Sequence, residues 1–64
     1  MITFNVGDVV TTTVYMIGGR QDDVTGTVTQ RNMSRKTPDK VLSYVVDATD
    51  SGYGMLVVEA AKAR

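Results

Sequence analysis

Apolar positions in this chain alternate in short runs instead of recurring every third or fourth residue. Val9 to Tyr15 is almost wholly β-branched. On a period of two, Val10, Thr12, Val14 and Met16 share one face, while Val9, Thr11, Thr13 and Tyr15 share the other. Val24 to Arg31 repeats the alternation, setting Val24, Gly26 and Val28 against Thr25, Thr27, Thr29 and Arg31. A third run, Val41 to Ala48, offers Leu42, Tyr44, Val46 and Ala48 as its core face. In the fourth, Tyr53 to Val58, Leu56 and Val58 are expected to point inward. Valine and threonine are stiff at χ1 and fit a pleated, half-buried surface. Four strands follow.

The stretches between them carry turn chemistry. Ile17 to Asp23 holds a glycine pair and two aspartates and predicts a loop. Asn32 to Lys40 is polar and contains the only proline, Pro38, which removes a ladder donor and biases Thr37 away from helix. Thr49 to Gly52 predicts a turn. The tail, Glu59 to Arg64, contains only good helix formers but is too short to nucleate alone. It predicts one packed helical turn or a fraying last strand. Two glycines sit inside β-branched runs, in Val6-Gly7-Asp8-Val9-Val10 and Val24-Thr25-Gly26-Thr27-Val28. Glycine there marks a bend where another backbone comes close. Bent strands in so short a chain predict an all-β fold: one small, strongly curved barrel of four to five strands, with a short C-terminal helical turn, over 1–64.

Composition narrows the chemistry. The 64 residues include neither cysteine nor histidine. That excludes disulfides, zinc ribbons and imidazole-ligated metals, and no cofactor is implied. Seven basic residues balance seven acidic ones, so no global field draws the chain to nucleic acid or to an anionic membrane. No apolar run approaches the ~20 residues that span a bilayer. The opening Met1-Ile2-Thr3-Phe4-Asn5 lacks the basic and apolar regions of a signal peptide. A cytoplasmic, non-membrane protein is the expectation.

The Gly7-Asp8-Val9-Val10 entry, the glycine-led Gly26-Thr27-Val28, Tyr44-Val45-Val46 and Leu56-Val57-Val58 together resemble an SH3-like barrel of the Tudor or KOW-like kind. The resemblance covers roughly residues 4 to 61 and implies a binding module without catalysis; it names no ligand. Type II dihydrofolate reductases are SH3-like barrels that assemble as tetramers around a pore, and Thr3-Phe4-Asn5-Val6-Gly7-Asp8 is similar to their entry. Where that family carries a late Val-Gln-Ile-Tyr stretch, this chain reads Met55-Leu56-Val57-Val58. The departure removes the groups that would bind substrate and cofactor.

Candidate chemistry is sparse. A nucleophile without histidine or cysteine beside it lacks its usual base. Asp22-Asp23 in the expected loop reads as a solvated pair with ordinary pKa values, poor for catalysis at neutral pH. Asp47 to Gly52 lacks the oxygen alternation and distal glutamate of a calcium loop and reads as a turn. No catalytic, cofactor or metal residues are assigned.

Two binding surfaces remain. Phe4 and Tyr44 are expected in the core, leaving Tyr15 and Tyr53 for the rim. With Met16, Ile17, Met55 and Val57 they make an apolar excess over what one small core buries. Methionine suits adaptable contacts, and open strand edges pair with a partner or with a second copy. This reading gives a protein partner, with homo-oligomerisation as a variant, for a small accessory protein of the sort found in viruses and mobile elements. The alternative is nucleic acid held by Arg31, Arg35, Lys36 and Lys40, four cations within ten residues. No aromatic interleaves with them to stack bases.

Overall fold

The computed structural model describes residues 3–64. Met1 and Ile2, on which the reading of the chain's start partly rests, lie outside the described residues. Four strands are present: β1 (Val9–Tyr15), β2 (Gln21–Met33), β3 (Val41–Ala48) and β4 (Gly54–Glu59). A 3-10 turn, Thr49–Ser51, joins β3 to β4, and a second, Ala60–Lys62, follows β4. The helical turn expected in the tail is this second one. All strands pair antiparallel in the order β1-β2-β3-β4. The sheet stays open, because β1 and β4 are not paired.

β2 is the spine of the fold. Its first half pairs with β1, Thr12 opposite Val24, and its second half with β3, Arg31 opposite Tyr44. The crossover falls at Gly26 to Val28. A Cβ built on Gly26 would lie 2.5 Å from the Asp47 carbonyl oxygen and 2.6 Å from Val46 Cγ1, so β3 approaches within the space any other residue would need. The inference drawn from glycine inside a β-branched run holds here in that literal sense. Gly7 has a different task. At φ +97° it turns the segment between Asn5 and Asp8. Its N–H then donates to the Val28 carbonyl at 2.8 Å, while the Val28 N–H donates to the Asp8 carbonyl at 2.9 Å.

The core lies between the two halves of the folded sheet: Val10, Val28, Val41, Tyr44, Val46 and Val58. Phe4 packs on it, its ring edge-on to Tyr44 at 5.9 Å and 76°. The Tyr44 hydroxyl accepts the Phe4 N–H at 3.1 Å, so the buried phenol holds the N-terminal segment by both contacts. β1 and β4 present the faces their alternation predicts, with Val10 and Thr12 buried in one and Val58 in the other.

Two expectations fail. Leu42, assigned to the core, is 52% exposed, and Val41 is buried in its place. The pairing steps from Asn32–Ser43 to Met33–Val41, so Leu42 is bulged out and the parity of β3 reverses there. The expected loop Ile17–Asp23 is also shorter, since β2 already begins at Gln21 and pairs with Tyr15. Asp22 and Asp23 tolerate strand geometry because each has a distant partner. Asp22 accepts the Tyr53 hydroxyl, and Asp23 accepts the Thr13 hydroxyl and the Arg64 guanidinium.

Candidate interaction surface

The residues expected at the rim occupy one end of the molecule, around the β1–β2 hairpin. Met16 N–H donates to the Arg20 carbonyl at 2.7 Å, closing the hairpin and throwing Ile17 outward. Ile17 is fully exposed, and Tyr15 is exposed beside it. Val14, Tyr15, Met16, Ile17 and Arg20 line a shallow hollow of about 420 Å³. Tyr53, half-buried just before β4, reaches this hairpin through its hydroxyl. It donates to Asp22 Oδ2 at 2.8 Å, with Met16 Sδ at 4.0 Å. The Asp22 carboxylate pushes the Tyr53 phenol above the ordinary tyrosine range, aided by partial desolvation.

Met55 and Val57 lie on the solvent side of β4, opposite Asp47 and Val45. Both are exposed. Val57, with Thr12, Thr13, Val14, Leu56 and Val58, lines a separate cleft of about 290 Å³ along the unpaired seam between β1 and β4. Val14 lines both concavities, which are therefore neighbours. Five of the six rim residues border one of the two or bond to a residue that does. Met55 stands apart, next to Asp47 on the sheet face.

The four cations are less concentrated than their spacing implied. Arg31 lies within β2, not in a loop, and its guanidinium donates to Asn5 Oδ1 at 3.3 Å. Arg35 and Lys36 sit in the turn closed by the Ser34 N–H donating to the Lys40 carbonyl at 2.8 Å. Lys40 borders a separate hollow with Leu42 and Ala60. This turn joins the far end of β2 to β3, remote along the strand from the hairpin at Gln21. Apolar rim and basic turn thus occupy opposite ends of β2.

The Asp22 and Asp23 carboxylates do not converge. Asp22 and Asp23 alternate on β2 and so point to opposite faces. Asp23 is not an ordinary solvated acid: the Thr13 hydroxyl and the Arg64 guanidinium hold its pKa below the usual carboxylate value. Asp47 is likewise lowered, by the hydroxyl and N–H of Thr49, which turn the chain at this corner.

Sequence reasoning passed over Thr13, Val14 and Arg20, which complete this surface. Arg20 was legible as a lone cation beside Met16-Ile17 in a hairpin tip. Thr13 and Val14 carried no signal, because their role comes from a seam that only the folded sheet creates. No family model matches the chain, and neither a curated protein nor a solved structure matches it.

Proposed function

We propose that this chain is a small, non-catalytic binding module of SH3-like barrel form, which engages a protein partner through its hairpin rim and the neighbouring open edge, as an accessory to a larger assembly. The bent β2 shared between two halves of the sheet supports the barrel form. So does Arg64, which returns to β1 and exchanges two backbone hydrogen bonds with Thr11, at 2.7 and 2.9 Å. The observation that carries the functional reading is the exposure of Tyr15, Ile17 and Val57 around two neighbouring concavities that share Val14. Large apolar side chains clustered at a concavity are what a partner buries, whereas singly scattered ones need no explanation.

The test is affinity capture with the wild-type chain and an Ile17→Asp/Val57→Asp variant, after nuclease treatment and in about 0.5 M salt, where exposed ion pairs are screened. The expected result is a discrete protein held by the wild type and lost by the variant. Capture should survive replacement of Arg31, Arg35, Lys36 and Lys40 by glutamate. Recovery of nucleic acid alone, abolished by salt and by those four glutamates, would move the site to the basic turn. Equal capture by wild type and rim variant would also overturn the reading.

A further inference from the structure

We propose that residues 60–64 form a strap, hinged where β4 ends and clasped to β1 by Arg64, which opens and closes beside the seam while the sheet stays folded. The strap does not depend on the binding reading above.

Because β1 and β4 are not paired, the sheet closes only where the chain returns to β1. Arg64 makes that closure. Its carbonyl accepts the Thr11 N–H at 2.7 Å, and its own N–H donates to the Thr11 carbonyl at 2.9 Å. Its guanidinium donates to the Thr13 hydroxyl at 3.2 Å and to Asp23 Oδ1 at 3.0 Å. Asp23 also accepts the Thr13 hydroxyl at 2.8 Å, so side chains of β1, β2 and the strap meet at one carboxylate. Among the described residues, every hydrogen bond from 60–64 to β1 comes from Arg64.

The rest of the strap is lightly seated. The 3-10 turn Ala60–Lys62 is flanked by extended backbone at Glu59 and Ala63, and none of its residues is buried. Lys62 pairs with Glu59 at the strap's own base, at 4.0 Å, and not with β1. Ala60 and Ala63 rest on the core, each with a single methyl. The seam cleft of about 290 Å³ reaches Glu59 and Lys62, and a hollow of about 180 Å³ is lined by Thr13, Tyr15 and residues 61–64. Lys62 borders both spaces, so release of the clasp joins them and widens the seam beside Val14 and Val57. Segments with few buried apolar contacts and exposed hydrogen bonds open at less than the free energy of global unfolding. The Arg64–Asp23 pair is exposed on both sides, which keeps its hold modest. One bonded residue at the far end of a lightly packed segment acts as a catch.

The test is native-state hydrogen exchange on the full chain over a series of low urea concentrations. The Thr11 amide reports the clasp, and the Tyr44 and Val46 amides report the core, since β3 is paired on both sides. Thr11 should be less protected and nearly insensitive to urea, because opening exposes little surface, while the β3 amides follow global unfolding. Val24 is buried but lies outside the cluster on which Ala60 and Ala63 rest, so Val24→Ala weakens the open and closed forms alike. It should speed the β3 amides by about tenfold and leave Thr11 unchanged. Asp23→Asn should speed Thr11 by roughly two- to fivefold, since only the closed strap makes that contact. An equal urea slope at Thr11 and in β3 of the wild type would overturn the strap, a readout that needs no variant to fold. Equal acceleration of Thr11 and β3 by Val24→Ala would also overturn it, and an unchanged Thr11 in Asp23→Asn would overturn the clasp. No readout involves a partner, so the result is separate from the rim reading.

Discussion

Gly26 is the residue on which the bend of β2 depends. An added methyl would meet a backbone oxygen, not a yielding side-chain tip. Gly26→Ala should therefore cost about 1–3 kcal/mol or more, read by chemical denaturation. Tyr44→Phe tests a finer point: it keeps the buried ring and removes only the acceptor for the Phe4 N–H. A loss near 1 kcal/mol is expected. Charge enters through exposed groups. Asp23 and Asp47 are more acidic in the folded chain than the ordinary aspartate value of 3.8. Their contribution is full above that value and is lost as pH falls through the lowered folded pKa. Asp23→Asn and Asp47→Asn should each flatten the acid limb of a stability–pH profile. Tyr53 has the opposite sense, since its raised phenol favours the fold below the unfolded value and loses that as pH rises through the folded one. Tyr53→Phe should remove this alkaline dependence, with tyrosinate absorbance following the ionisation.

Among the elements, β1 and β4 were legible as strands from their β-branched and apolar runs, although Met55 and Val57 are as apolar as Leu56 and Val58 and left the inward face of β4 weakly marked. β3 was not, since Leu42 continues the period of Tyr44, Val46 and Ala48 perfectly and only a bulge against β2 expels it. A bulge depends on the partner strand, which a local pattern cannot see. The consequence is a reversed pair of substitutions. Val41→Ala should cost about 1–3 kcal/mol and Leu42→Ser close to nothing, as measured by thermal or urea unfolding. The start of β2 was hidden for a related reason. Aspartates favour turns when judged alone, but Asp22 and Asp23 are held in the strand by Tyr53, Thr13 and Arg64, from thirty or more residues away in two of the three cases. Turn chemistry is local; these partners are not.

At the scale of the molecule, eight apolar residues are buried among the described ones, six of them in one cluster with Tyr44 its single aromatic. With no cysteine to form a disulfide, such a core rarely supplies more than about 3–5 kcal/mol. A partner that covers the hairpin rim and seam would add to that stability as well as being bound. The candidate site was half visible in the sequence: the rim aromatics and methionines were named, while the seam joining them arises only because β1 and β4 fail to pair. The most direct measurement is hydrogen exchange across the whole chain, alone and with its captured protein partner. Protection concentrated at residues 13–17 and 53–57 is the predicted result. Protection concentrated in the basic turn, residues 34–40, with the rim unchanged, would contradict it.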